Sequence, residues 1–498
     1  MNAVPYTDIR ELYIDGRWQK PLSGNYEGID NPATEELIGE APVGDAADAA
    51  AAVAAAREAF DKGPWPRMST KERCAALARF RDALLASEND IRALIRAEVG
   101  ATRLMLDGPQ FGGVIEAIDY VIELAERMKP EPTDVITTKS LMDPESSGIL
   151  AGGVTVRDPV GVVAGISAYN VPLLINMAKV APALVVGNCL VLKPSPLTPF
   201  TALMLGKIAE RAELPPGVLN IVTGGTDVGN LLTSDPRMDM VSFTGSDKVG
   251  TAIMAQAVPT MKHVHLELGG KSAMIVREDA DLEVAAGNAA FNFTLHAGQG
   301  CALLTRFLVH NAIRPAFIET VQGILSQLKV GDPADPDTVI GPLISRAARE
   351  KTEYYVEKGL AEGGRLVSGG RRPAGLEKGY FHEPTLFDDI DNRSTLAREE
   401  VFGPVGVVIG FDTDEEAVAL ANDSDFGLSG GIVSRDKARA YQMALELRTG
   451  DVKINGGTAG LYLQAPFGGY KRSGIGREYG PRWLESYTLE KSIHYPIG

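Results

Sequence analysis

Val160-Gly161-Val162-Val163-Ala164-Gly165-Ile166 is a short apolar run of strand length, and the elements after it in the chain decide the fold. Residues 172–186 read as a helix, 189–192 as a strand, 198–212 as a helix and 219–222 as a strand. A short helix over 227–233, a strand over 240–243, a helix over 246–257 and a strand over 264–268 complete the series. Strands that alternate with helices are joined by right-handed crossovers, which places them in a parallel sheet covered on both faces. The expectation is a doubly wound α/β domain of the dinucleotide-binding type.

The usual pyrophosphate turn is missing from it. After the first strand stands Ser167-Ala168-Tyr169-Asn170-Val171-Pro172 in place of Gly-x-Gly-x-x-Gly, so a phosphate site has to lie elsewhere. Phe243-Thr244-Gly245-Ser246, leading to Gly250, is the candidate, because a strand gives way there to a helix whose free amides favour a diphosphate. Gly245 permits close approach and Ser246 can donate. Taken alone, Ser246 reads as a plain N-cap.

Downstream, His265-Leu266-Glu267-Leu268-Gly269-Gly270-Lys271-Ser272 carries a carboxylate near the tip of the last strand and then breaks at two glycines. A strand over 272–277 and a helix over 281–295 lead to His296-Ala297-Gly298-Gln299-Gly300-Cys301. Glu267 and Cys301 are 34 positions apart, enough for a strand, a crossover helix and a return, so they can meet in space. A lone cysteine is more often a small buried hydrophobe, and a glutamate at a strand end is usually solvated. Gly298 and Gly300 weigh against the bland reading, since backbone without side chains admits a substrate and leaves amides free to face an anion.

Beyond Cys301 the alternation resumes, with a strand through 308–309, helices over 315–328 and 345–361, strands over 406–411 and 430–433, and a helix over 415–422. A second α/β domain is expected. Residues 13–31 read as small strands and turns, and 45–60 as an alanine-rich helix. Ser69 or Thr70 opens a helix with Glu72 and Arg73 in its first turn, and helices run on to about 128 with breaks near Gly108-Pro109 and Gly112-Gly113. Residues 129–159, rich in proline and glycine, read as an extended hairpin arm whose edges want a partner. The tail over 487–496 alternates weakly and is expected to add an edge strand there, arm and tail burying each other across subunits.

The 498 residues exceed one core and suggest about three units. Acidic residues outnumber lysine and arginine by 65 to 49, and the net charge of -16 opposes binding to nucleic acid or an anionic membrane. Three cysteines, Cys74, Cys189 and Cys301, lack Cys-x-x-Cys spacing, so neither a disulfide framework nor a metal site is expected. The start shows no basic and apolar leader pattern and the apolar runs are too short to span a bilayer, which makes the cytoplasm the expected location.

Leu266-Glu267-Leu268-Gly269-Gly270-Lys271 together with Gly298-Gln299-Gly300-Cys301 resembles the paired signature of the NAD(P)-dependent aldehyde dehydrogenases, and the likeness extends over roughly residues 10–490. The resemblance implies an oxidoreductase that turns an aldehyde into the carboxylic acid, with Cys301 as nucleophile, Glu267 as general base, Asn170 as oxyanion donor and Glu478 as a second acid relaying protons. Asn170 alone would be a helix cap beside Pro172, and Tyr169 stands where the family has tryptophan. Lys179 is a candidate bridge to the same site.

By the same resemblance the cofactor meets Ile166, Lys193, Ser195, Gly245, Ser246, Leu268, Glu400 and Phe402; Glu399-Glu400-Val401-Phe402-Gly403-Pro404 matches as a block. Pro196 replaces a glutamate often found in NAD-preferring members, so the expectation is NAD with NADP open. The domain bounds expected are 1–128 and 158–266 for the cofactor, 267–478 for catalysis, and 129–157 with 479–498 for an oligomerisation arm, longer here than usual, that builds a homodimer or homotetramer. Leu174, Met177, Phe293, Leu295, Leu461, Tyr462 and Phe467 are candidate walls for the aldehyde. With no arginine among these short windows, an apolar aliphatic or aromatic aldehyde fits best. A CoA-acylating enzyme, a semialdehyde dehydrogenase and a non-catalytic cofactor-binding protein are the alternatives.

Overall fold

The structure, a computed structural model, describes residues 4–497 except 140, 144, 146 and 458–461. One sheet is built from β1 (Leu12–Ile14), β2 (Arg17–Gln19), β3 (Val162–Ile166), β4 (Cys189–Lys193), β5 (Leu219–Ile221), β6 (Met240–Thr244) and β7 (His263–Glu267). Helices α1 (Pro172–Val185), α2 (Pro199–Arg211), α3 (Thr226–Ser234) and α4 (Asp247–Ala257) form the crossovers. The order is β2-β1-β5-β4-β3-β6-β7, with Gly474–Ile475 added at the far edge, and β5 to β7 are parallel. Strands β3 and β4 are buried along their whole length, which is why they read as continuous apolar runs without alternation. The order reverses between β3 and β6, and a crevice opens there beyond the carboxyl ends of the strands.

The second sheet contains β8 (Ser272–Val276), β9 (Leu304–His310), β10 (Arg365–Ser368), β11 (Thr385–Asp388), β12 (Val405–Phe411), β13 (Ser429–Val433) and β14 (Asp451–Ile454). Around it lie α5 (Leu282–Thr294), α6 (Arg314–Leu325), α7 (Arg346–Ala361), α8 (Asp414–Asn422) and α9 (Lys437–Glu446). Its order is β10-β11-β12-β9-β8-β13-β14, parallel except for β10 against β11. Alternate residues feed cores on opposite faces: Ile275, Leu308 and Val407 on one, Met274, Phe307 and Val408 on the other. Phe293 belongs to the latter core, fully buried with its ring 5.9 Å from that of Phe307, and so is no wall residue for a substrate. Its place in α5 was readable, but which face of α5 meets the sheet was not.

The helices of the first quarter are stopped by the expected signals. Asp45 with Asp48, and Ser69 with Glu72, form reciprocal caps at the starts of Ala46–Asp61 and Thr70–Ala86. The backbone leaves helical geometry at Gly108, ahead of Gly112–Arg127. Among the described residues no helix is long and apolar enough to cross a membrane.

The arm differs from its expectation. Its strand Ile149–Pro159 pairs antiparallel with Thr488–Pro496 of the same chain, from Thr488 opposite Pro159 to Pro496 opposite Ala151. The tail is led to the arm's base by Tyr487, whose carbonyl accepts from the Val160 amide at 3.2 Å and from Asn188 Nδ2 at 2.9 Å. Arm and tail therefore make one sheet within a subunit.

Candidate active site

The crevice is a cavity of about 540 Å³. Ile166 ends β3 in its wall, Lys193 and Ser195 lie at the end of β4, Gly245 and Ser246 come after β6, and Leu268 after β7. Glu400 and Phe402 line the cavity too, as do Asn170, Glu267 and Cys301. Every residue expected at the cofactor lies on this one cavity. Ser246 caps α4, accepting from the Val249 amide at 3.4 Å, so the cap and the cavity-lining position coexist. The Lys193 ammonium is driven down to about 8, chiefly by burial, which leaves it hungry for an acceptor beyond its 3.2 Å bond to the Pro194 carbonyl. Ser167 Oγ, in the same wall, is buried without a partner. Unspent donors beside a glycine turn and a helix N-terminus fit a dinucleotide.

Sequence reasoning missed part of this wall. Gly225 and Thr226 at the start of α3, with Gly229 and Asn230 one turn on, also line the cavity, and Gln256 of α4 donates to Asn230 Oδ1 at 3.0 Å. The glycines after β5 were the available signal, the same one used after β6. Lys351 of α7 also lines it and donates to the Glu400 carbonyl at 3.1 Å.

Three motifs meet where Cys301 sits. A Cβ on Gly270 would come within 2.6 Å of the Cys301 carbonyl, and one on Gly298 within 2.1 Å of the Gly403 carbonyl. Only glycine lets these backbones approach so closely. The Gly270 amide donates to Glu400 Oε1 at 3.1 Å, fixing the carboxylate over the turn. Before the thiol, His296 and Ala297 both hold positive φ, at 50° and 52°, each a departure that costs about 1–3 kcal/mol and persists only where its surroundings over-determine it. Gln299 supplies that determination, donating to the His296 and Pro342 carbonyls and accepting from the Ile344 amide. Asn170 donates to the Gln299 carbonyl at 3.0 Å, which leaves its second N–H free beside the cysteine loop.

Behind these groups lies a buried polar cluster. Lys179 of α1 donates to Thr244 Oγ1 at 2.8 Å and pairs with Glu478 Oε1 at 3.3 Å, both side chains enclosed. Glu478 stands outside the cavity wall proper. Burial, and then Glu478, push the Glu267 carboxyl well above the ordinary carboxylate range, against the pull of Lys179 and Arg477. Burial, with Glu400, Glu267 and Glu478, pushes the Cys301 thiol up to about 12. The arrangement has the parts for covalent chemistry at a carbonyl: a thiol, a carboxyl able to hold a proton, an amide donor and a dinucleotide crevice.

Of the candidate substrate walls other than Phe293, Leu174 and Met177 are buried on α1, Leu295 and Phe467 are partly buried against the first sheet's core, and Tyr462 is exposed. Leu461 lies outside the described residues.

Residues 18–493 match the model of the aldehyde dehydrogenase family. A 3-succinoylsemialdehyde-pyridine dehydrogenase of Pseudomonas sp is 40% identical over 488 residues, 98% of each chain. A geranial dehydrogenase of Castellaniella defragrans is 38% identical over 489 residues, 98% of this chain and 99% of its own. The crystal structure of a Mycobacterium tuberculosis aldehyde dehydrogenase complexed with NAD+ superposes with a TM-score of 0.92 at 42% identity, covering 98% of both chains. With a family match over nearly its whole length, on a fold that places a cysteine and a carboxylate at a dinucleotide crevice, the chain belongs to the aldehyde dehydrogenase family and is an NAD(P)-dependent oxidoreductase of aldehydes.

Proposed function

We propose that this enzyme oxidises an apolar aliphatic or aromatic aldehyde to the free acid by covalent catalysis at Cys301, with NAD as the preferred cofactor. The observation that carries the reading is that Cys301, Glu267 and Asn170 all line the one cavity that the expected cofactor residues line. The Cys301 sulfur adds to the aldehyde carbon, its proton passing to a base. The carbonyl oxygen becomes an alkoxide and takes the free N–H of Asn170 and the Cys301 amide as donors. A bound nicotinamide supplies the acceptor for the hydride that leaves the carbon, and a thioester stays on Cys301. Glu267 then takes a proton from water, which attacks the thioester and expels the thiolate. Lys179 and Glu478 carry the collected proton away from Glu267.

Leu174, Met177 and Phe467 pack in or against the first core and do not line the cavity, so the apolar substrate rests on the apolar sequence windows around them and on relatives named for geranial and for a pyridine semialdehyde. The NAD preference rests on the NAD+ bound by the Mycobacterium tuberculosis neighbour. Residues 1–128 with 158–266 act as the cofactor domain, 267–478 as the catalytic domain, and 129–157 with 479–498 as the arm of a homodimer or homotetramer. The acidic surface and the absence of disulfides, with all three cysteines free, suit a cytoplasmic enzyme.

The test is Glu267→Gln. Removing the base should slow turnover about 10² to 10⁴-fold, with a burst of about one reduced cofactor per active site and an acyl group on Cys301 visible by mass spectrometry. Added CoA should not restore turnover. Steady release of acid at the parent rate would place the base elsewhere.

A further inference from the structure

One buried neighbour of the base, His265, has no role in the chemistry above. His265 precedes Glu267 by two positions on β7, so both side chains leave the strand on the same face. Each is 4% exposed, and His265 Nε2 lies 3.6 Å from Glu267 Oε1. Neither ring nitrogen of His265 and neither carboxyl oxygen of Glu267 has a hydrogen-bond partner. Unpaired polar atoms are costly in an interior. Two that face each other at this distance are satisfied together by one shared proton after a shift of about half an ångström.

We propose that His265 is a positioning residue for the base: its neutral imidazole donates an Nε2–H hydrogen bond to the Glu267 carboxylate, aims it toward the crevice and favours its ionised form. The proposal rests on the reading of Glu267 as general base.

The tautomer is fixed by accounting for both nitrogens. Nδ1 has no partner, and a buried acceptor left short is tolerated better than a buried N–H with nothing to meet. The proton therefore sits on Nε2, where a carboxylate faces it. The ring stays neutral because burial, Lys179 and Arg477 drive its pKa down to about 3, so it aims the base and does not store the base's proton. Backbone packing holds the pair together. A Cβ on Gly476 would meet His265 Cδ2 at 2.5 Å, and one on Gly468 would meet Glu267 Oε1 at 2.6 Å.

The other charged and titratable groups facing the pair are Lys179 from α1, Arg477 and Glu478 from the segment after Gly474–Ile475, Cys301 from its loop, and the phenols of Tyr479 and Tyr487. Burial and Glu478 raise the Glu267 pKa while Lys179 and Arg477 lower it. A hydrogen bond to the charged form acts in the same direction as the two cations. Loss of His265 thus moves the Glu267 pKa further up.

The test compares His265→Phe, which fills the space without a donor, with His265→Gln, which restores an N–H donor, through the pH dependence of kcat with deacylation rate-limiting. In His265→Phe the acid limb should move up by about one pH unit and kcat near neutrality should fall about tenfold, with cofactor binding and the pre-steady-state burst retained. In His265→Gln the limb should return toward the parent's. A ring with only a packing role predicts no displacement in His265→Phe, and that result overturns the proposal. Should His265→Phe fail to fold, ¹⁵N NMR of the histidine rings in the parent decides. A neutral Nε2–H ring between pH 6 and 9, perturbed by Glu267→Gln, supports the proposal, and an Nδ1–H or cationic ring overturns it. If Glu267→Gln itself turns over at the parent rate, the base reading fails; if it stalls while His265→Phe shifts nothing, only this proposal does.

Discussion

Cys301, the proposed nucleophile, has surroundings that oppose its reactive form. Burial and three carboxyls hold its thiol near 12, the reverse of the cationic neighbourhoods that keep many cysteines ionised. The thiolate has to be made at the moment of use. Below its pKa the thiolate fraction climbs about tenfold per pH unit. Alkylation of the cofactor-free enzyme by iodoacetamide should accordingly accelerate about tenfold per unit from pH 7 to 9 with no plateau, and peptide mapping should find the label on Cys301 and not on buried Cys74 or Cys189. A plateau near neutrality would show a thiol ionised at rest. Cys301 and Glu267 stood out as candidates in the sequence because short glycine-bearing motifs hold them, whereas Asn170 entered only with the family resemblance. His265 stood inside one of those motifs unread, since what packs against it comes from Gly476 and Tyr487, far along the chain.

Most helices and strands were legible to within a residue or two, because their stops are local: capping side chains, prolines in first turns, glycines after strands. What a single element could not disclose was its partner. Glu98, on the helix Glu88–Val99, is an instance. It is fully buried against the start of α2, accepting from the Phe200 amide at 2.7 Å, the Thr201 amide at 3.0 Å and the Thr201 hydroxyl. No capping residue next to α2 does this work; Thr198 makes no side-chain cap bond. Burial outweighs these bonds and lifts the Glu98 carboxyl to about 7. A carboxyl whose pKa is higher folded than unfolded favours the native state fully below the unfolded value, about 4.3, and loses that contribution as pH rises toward 7. The loss is about 3 kcal/mol. Comparing the unfolding midpoints of the parent and Glu98→Gln from pH 4 to 8 should show the parent losing ground to the variant between about 4.5 and 7. A difference independent of pH would mean that Glu98 is charged at rest.

At the scale of the molecule, the two sheets and their parallel order were legible in the alternation of strands and helices, whereas the closure of the arm was not, because a weakly alternating tail does not say which edge it joins. The tail completes the arm within one subunit, and the sheet so formed shows what it still lacks. Ile493, Tyr495 and Ile497 occupy successive alternate positions on one face and are exposed, with Leu489 beyond the ion-paired Lys491 and Leu150 opposite Ile497 exposed as well. Exposed apolar residues grouped on one sheet face are the kind of surface that another chain covers, and the common closed solution for identical chains is a twofold one. Light scattering should give a dimer or tetramer for the intact chain at micromolar concentration. Deleting residues 488–498 removes most of this group and leaves the long strand Ile149–Pro159 without its partner, so the variant should dissociate or aggregate. Ile493→Glu keeps the intrachain ladder and charges only the outward face, so it should yield folded subunits that associate at least about tenfold more weakly, consistent with loss of apolar burial at an interface. An intact chain that scatters as a monomer, or an Ile493→Glu variant that assembles as the parent does, would show that this face is not where the subunits meet.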